Sequence, residues 1–312
     1  MQLVRQKEKI TGNTAKRRRC HFRLATAALL VAVLGSGCTG VPGSADGGPL
    51  LGLPGANAPR GAAGALAAYA EKLRRAEVAR RAAAKRWGLQ KTPLIAPAPP
   101  AVKPEIKTRK GFEVGPGLPP VFTTVPTKEK IVFLTIDDGA EKDPELLRMI
   151  SELRIPYSAF LSDYLIRDDY GYFGKMQDLG VTLNNHTINH RYMPALSYAK
   201  QRAEICGQQA TIEKRYGKRP ELFRPPYGNY NANTLRAAKS CGVKAVPLWA
   251  AEAFPDRMEW REWDRDLHPG DIILTHFRGR QDWKATMPDM IRRVMKTITD
   301  KGYAVARLED YL

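Results

Sequence analysis

The 312-residue chain is short of several things, and each shortage closes an option. It holds four cysteines, of which Cys20 and Cys38 lie near the N-terminus, so only Cys206 and Cys241 remain for the rest of the chain. Its N-terminal apolar stretch, residues 24–34, is well below the roughly 20 residues a membrane-spanning helix needs. The third shortage is of positive charge where a nucleic-acid binder would need it. The chain carries a formal charge of +18, but residues 127–312 hold 29 basic against 26 acidic side chains. The excess sits at the other end, where residues 1–90 hold 16 basic and 4 acidic ones. The C-terminal two-thirds therefore has no nucleic-acid footprint. What is plentiful is apolar sequence, 43% of residues, enough for the packed core of one large or two modest domains.

The N-terminus has the layout of an export signal. Lys16, Arg17, Arg18, Arg19 and Arg23 precede the apolar stretch, and Gly35-Ser36-Gly37-Cys38 follows it. It also resembles a bacterial lipoprotein signal, whose mature chain begins at a lipidated cysteine, here Cys38. Gly35 stands where such signals usually place Leu, with Leu34 one position earlier. The alternative is simple cleavage near the same site, releasing a secreted protein. Outside the cytoplasm the pair Cys206 and Cys241 is a candidate disulfide, against two small buried thiols in neighbouring helices.

Residues 1–38 thus form a signal segment, 39–126 a connecting region, and 127–312 the main domain. Within the connector, residues 39–61 are rich in Gly, Pro and Ala and read as a flexible tether. Residues 62–87 have strong helix formers, no proline, and apolar Leu66, Tyr69, Leu73 and Ala76 at helical spacing. Arg74, Arg75, Arg80, Arg81, Lys85 and Arg86 make this helix basic. Two readings are open: a solvated linker helix, which the pattern favours, or a helix lying on anionic lipid or an acidic wall polymer. Residues 91–120 are proline-rich and predict a semi-rigid extended spacer, giving the domain reach away from a membrane.

From about residue 127, short apolar runs alternate with longer amphipathic segments. Strands are expected at 131–136, 158–161, 181–183, 222–224, 244–248, 272–275 and 304–307. Helices are expected from Asp143-Pro144, from near Asp168, from Ser197 to Tyr216 before Gly217, from Asn231 to Ser240 before Gly242, and from Thr286 to Asp300 before Gly302. The alternation predicts an α/β fold with a parallel sheet, open or closed into an irregular barrel.

The polar motifs fall where these strands end, the rim at which a barrel places its chemistry. Asp137-Asp138-Gly139 follows the first strand. His186-Thr187-Ile188-Asn189-His190 follows the third. In an extended chain the two imidazoles would lie roughly 13 Å apart, so sharing a metal requires a coiled backbone, for which a helical turn is the expectation. A carboxylate would complete a His₂Asp set with open positions. Arg224-Pro225-Pro226-Tyr227-Gly228 is stiff, suited to an Arg that orients a carboxylate and to a backbone N–H aimed at developing negative charge. Leu274-Thr275-His276 ends a strongly apolar strand. Each has a bland reading: polar turn, loop histidines, structural ion pair, structural histidine.

Together, and in this order, these four motifs resemble those of the polysaccharide deacetylases, the NodB-type, family-4 carbohydrate esterases. The resemblance covers roughly 127–312. It implies a distorted (β/α) barrel of about seven strands, one divalent metal (usually zinc; cobalt, nickel or manganese otherwise), and removal of N- or O-acetyl groups from sugar polymers. Carried over, Asp138, His186 and His190 are metal ligands, Asp137 the general base, Arg224 its holder, the Tyr227 backbone N–H an oxyanion donor, and His276 the general acid. Leu274 lines the acetyl pocket, and Trp249 and Pro226 are further substrate contacts. The family usually follows its fifth strand with Trp and then Asp residues. Here the stretch is Trp249-Ala250-Ala251-Glu252-Ala253-Phe254-Pro255-Asp256, so Glu252 or Asp256 must stand in. The expectation is an exported, metal-dependent deacetylase of a surface polysaccharide, with peptidoglycan amino sugars first and chitin-like polymers or xylan after. It is expected to be held to a membrane through Cys38. The rivals are a non-catalytic glycan-binding lipoprotein with the same fold and another metallohydrolase such as a peptidase or phosphoesterase.

Overall fold

The structure, a computed structural model, describes residues 60–113 and 115–312. The signal segment, Cys38 and most of the tether lie outside them. Residues Ala58–Leu312 form one compact unit. It opens with helix α1 (Arg60–Arg86) and strands β1 (Leu94–Ile95) and β2 (Val121–Phe122). The alternating part then begins with β3 (Ile131–Asp138), α2 (Pro144–Leu153), β4 (Ser158–Leu161), α3 (Asp163–Ile166), α4 (Tyr170–Asp178) and β5 (Thr182–Asn185). After them come α5 (Tyr198–Tyr216), α6 (Ala232–Ser240), β6 (Val246–Pro247), the pair β7 (Ala251–Ala253) and β8 (Met258–Trp260), and β9 (Ile272–His276). The chain closes with α7 (Arg280–Trp283), α8 (Met287–Asp300) and β10 (Ala304–Ala306).

The caps foreseen in the sequence set the helix boundaries. Asp143 accepts from the Glu145 N–H ahead of Pro144, Ser197 caps α5, and Asn231 and Thr286 each close a reciprocal capping box. Gly217 ends α5 in the left-handed conformation, with its N–H on the Glu213 carbonyl. Near Asp168 the boundary shifts by one, and Asp169 caps α4.

β3 is buried along its whole length and organises the sheet. It pairs in parallel with β9 on one side; on the other its first half pairs with β10 and its second half with β4. β4 pairs on to β5, and parallel bridges continue from Asn185 to Phe223 and from Leu222 to Ala245. β7 pairs back to β9. This is the distorted barrel of an α/β fold, and all seven expected strands are present, the fourth only as those two bridges. The antiparallel hairpin β7–β8 was not foreseen. Inside the helical layer, α8 buries Met290, Ile291, Val294, Met295 and Ile298, one face of a 3.6-residue repeat. Cys206 of α5 and Cys241 after α6 are bonded through their sulfurs.

The connector departs from the expectation of an extended spacer. Residues 91–126 are extended but are not a free spacer. Leu94 and Ile95 add an edge strand to β10. Ile106, Phe112 and Leu118 pack against the buried clusters, and the Arg109 guanidinium donates to Thr123 Oγ1 at 2.7 Å. Prolines remove donors, but an extended backbone between them still fits a sheet edge. The last turns of α1 are docked too: Ala83 and Ala84 are buried, and Trp87 Nε1 donates to the Glu152 carboxylate at 2.7 Å.

Candidate active site

Parallel register brings the motifs to one end of the barrel. β3 and β9 align Asp137 with His276, and β3 and β4 align Asp138 with Leu161. Asp138 then leaves the strand with φ at 83°. That left-handed turn undoes the alternation of an extended chain, and the two carboxylates end up beside the same imidazole. His186 Nε2 lies 3.8 Å from Asp137 Oδ2 and 3.6 Å from Asp138 Oδ1.

The segment from His186 to His190 corrects a local expectation. It is a bent loop rather than a helical turn, with positive φ at Thr187 (72°) and His190 (52°). A β-branched residue there is strained, and strain of this kind persists only where neighbours over-determine it. They do so here. Asn185 Oδ1 accepts from the Thr187 N–H, Thr187 Oγ1 from the His190 N–H, and the Glu204 carboxylate of α5 from both the N–H and the side-chain amide of Asn189. The two rings sit 4.8 Å apart, centroid to centroid.

Asp138, His186 and His190 present one ligand atom each, all within 4.8 Å of one another. Their chemistry fits a cation. Asp138 Oδ1 is buried without a hydrogen-bond partner, 3.3 Å from His190 Nε2, whereas Oδ2 accepts from Arg278 at 2.6 Å. His186 Nδ1 meets the Arg224 carbonyl at 2.7 Å, which assigns the proton to Nδ1 and leaves the Nε2 lone pair free. Burial pushes His186 and His190 down to about 4, so both rings are neutral at pH 7, the ligating form. An orphaned carboxylate oxygen buried beside two neutral imidazoles is costly unless a cation fills the gap.

Asp137 has different neighbours. Its Oδ1 accepts from Arg224 Nη1 at 2.8 Å. Burial pushes its carboxyl up to about 6, with the Arg224 charge working against that rise. Arg224 is fully buried. It also donates to Thr135 Oγ1, to the Pro247 carbonyl and to the Leu248 carbonyl, and it lies over the Phe160 ring at 4.3 Å. Beyond it, Tyr227 has φ at 61°, and its ring meets that of His190 at 4.7 Å. Gly228 follows with φ at 68°; a Cβ there would sit 2.9 Å from the Trp249 ring, so this corner of the loop is closed to larger residues.

On the other side of Asp137, His276 Nδ1 lies 3.4 Å from Glu252 Oε1. Burial pushes Glu252 up to about 7. Asp256 is exposed and pairs with Arg257. Of the two carboxylates left open by the altered motif, Glu252 is the one beside the histidine. Leu274 and Pro226 are buried, and Trp249 is half-buried under Arg261 at 4.7 Å.

Arg278 is a site residue with no local sequence signal: it follows the end of β9, where its N–H turns back to the His276 carbonyl. It holds the outer oxygen of Asp138 and leaves the inner one facing the imidazoles.

The comparisons with known proteins agree with this geometry. The family model described as polysaccharide deacetylase matches residues 124–246. An uncharacterized protein of Streptomyces coelicolor is 42% identical over 199 residues, which span 64% of this chain and 79% of that protein. The chain belongs to the polysaccharide deacetylase family. Among other relatives, a peptidoglycan-N-acetylglucosamine deacetylase of Bacillus cereus is 26% identical over 202 residues, covering 60% of this chain and 91% of that enzyme. The fold also matches the crystal structure of a family-4 pseudoenzyme from Bacillus anthracis, with a TM-score of 0.52 and 21% identity over 62% of this chain and 69% of that one. In this member of the family, Asp137 pairs with Arg224, His276 lies beside Glu252, and Asp137 and His276 are register neighbours on β3 and β9.

Proposed function

We propose that this protein removes acetyl groups from a cell-surface or extracellular polysaccharide, acetamides first and acetate esters after, with one divalent cation, zinc first, held by Asp138, His186 and His190. The observation that carries the reading is the unpartnered Asp138 Oδ1 between two neutral imidazoles. When bound, the cation supplies Lewis acidity toward the acetyl carbonyl and acidifies water.

This chain's own residues supply the rest. Asp137, its Oδ1 held by Arg224, accepts the proton of the attacking water at Oδ2. A pKa near 6 keeps it mostly ionised at neutral pH yet basic enough to take the proton. The Tyr227 N–H donates to the oxygen as negative charge grows on it. His276, oriented through Nδ1 by Glu252, gives a proton to the departing nitrogen as the C–N bond breaks. The products are acetate and a free amino sugar. Pro226, Trp249 and Leu274 are the candidate walls of the acetyl and sugar site.

The Bacillus cereus relative makes peptidoglycan amino sugars the first substrate to test, with chitin-like polymers and xylan after. The export signal and a lipid on Cys38 would put the enzyme where that polymer is. The rival reading, a glycan binder, gives a fully buried Arg224–Asp137 pair and a carboxylate-oriented His276 nothing to do. The deciding experiment is acetate release from N-acetylated peptidoglycan fragments, chitin oligosaccharides and acetylated xylan, with and without chelator. Chelator-sensitive release is expected. Glycan binding and metal retention without release from any of them would establish the binder instead.

A further inference from the structure

One feature of the fold has no role in the site. The face of α1 that meets the domain is covered only at its C-terminal end. Arg80, Ala83 and Ala84 are buried against the domain. About two to four turns before Arg80 the same face carries Leu66, Tyr69 and Leu73, which are 70%, 61% and 51% exposed. At 100° per residue these side chains fall in one sector with Ala76. Lys72, Arg74 and Arg75 flank that sector or lie opposite it. The whole helix carries eight basic and two acidic residues. Beside it the edge strand β1 leaves Leu94 and Ile95 exposed, and with Leu73 and Ala76 they line a groove of about 800 Å³.

The position of this face matters as much as its chemistry. Trp87 and Arg86 bind Glu152 in the last turn of α2, and Leu73 and Arg81 line the same groove as Arg154 beyond that helix's end. β1 lines up with Ala304 and Val305, which pair with Ile131 and Val132 at the start of β3. The candidate active site is at the other end of β3, at Asp137 and Asp138. α1 is therefore attached to the end of the barrel opposite the mouth.

We infer that the exposed half of α1 is a docking surface for an anionic lipid bilayer, with Leu66, Tyr69 and Leu73 entering the interface and the flanking Lys and Arg side chains on the headgroups. The chemistry is that of an interfacial amphipathic helix: a narrow apolar stripe, a basic polar face and binding that needs both. A membrane held at this end leaves the mouth turned toward the polymer. A second copy of the chain is a poorer occupant, because two such helices would bring like charges together.

The test is hydrogen exchange on the full chain with vesicles of phosphatidylglycerol and phosphatidylcholine, or of phosphatidylcholine alone. The expected result is slowed exchange across residues 62–78 with the anionic vesicles only, weakening as salt is raised. The double variant Leu66→Glu/Leu73→Glu changes only exposed positions and should keep the native melting temperature. It should lower the vesicle partition coefficient of this segment at least about tenfold. Three results would overturn the inference: no vesicle-dependent protection of 62–78, equal protection on neutral vesicles, or protection that grows with protein concentration or with a soluble polyanion in the absence of lipid.

Discussion

At the residue scale, two neighbouring carboxylates are set to different tasks by what surrounds them. Asp138 faces two neutral imidazoles, and Asp137 is tied to a buried guanidinium. Asp138→Ala and His186→Ala should therefore abolish metal uptake, read by elemental analysis of purified protein. Asp137→Asn and His276→Ala should retain the metal and lose acetate release by on the order of 10²–10⁴-fold. Glu252 makes a separate prediction. Its carboxyl titrates at about 7 in the folded protein against a reference of 4.5. Between those values the folded state holds more protons than the unfolded one, so stability falls as pH rises through the window, by at most about 3 kcal/mol. Glu252→Gln should flatten that fall in denaturant titrations at pH 4.5, 6 and 8. The same variant should release acetate more slowly, because His276 Nδ1 loses its carboxylate partner. A variant with unchanged activity would show that Glu252 does not orient His276.

At the scale of elements, the site depends on loops that are braced rather than on the helices and strands themselves. The His186–His190 bend was legible as coiled, since two imidazoles cannot otherwise converge. Its actual form was not, because Thr187 and His190 adopt backbone conformations that local propensity disfavours. Bonds from Asn185, two residues before Thr187, and from Glu204 of α5 to Asn189 hold the bend in that form. Glu204→Ala should loosen the bend and weaken metal affinity by about 10- to 100-fold in a competition assay with a chelating dye, with little change in melting temperature. Retained affinity would show that strand β5 and Asn185 suffice. The capped helices were legible for the opposite reason: an Asp, Ser, Asn or Thr ahead of the first turn acts on backbone groups within three residues.

At the scale of the whole molecule, the compact unit begins earlier than residue 127. Removing residues 1–57 should leave the melting temperature nearly unchanged. Removing residues 1–126 should lower it sharply, since that takes away β1, the Trp87–Glu152 contact and the packing of Ile106, Phe112 and Leu118. Calorimetry of the two truncated forms checks this, and equal melting temperatures would restore the free-spacer reading. By itself the sequence determined the barrel class, the helix boundaries and the roster of metal and acid–base candidates, because periodicity, caps and ordered motifs act over a few residues. Tertiary structure decided what depends on partners distant in the chain. Strand register placed Glu252, not Asp256, beside His276, and sent Arg278 to Asp138 across 140 positions. It also turned a proline-rich stretch into part of the sheet edge, since sequence shows that a segment is extended but not which edge is free to receive it.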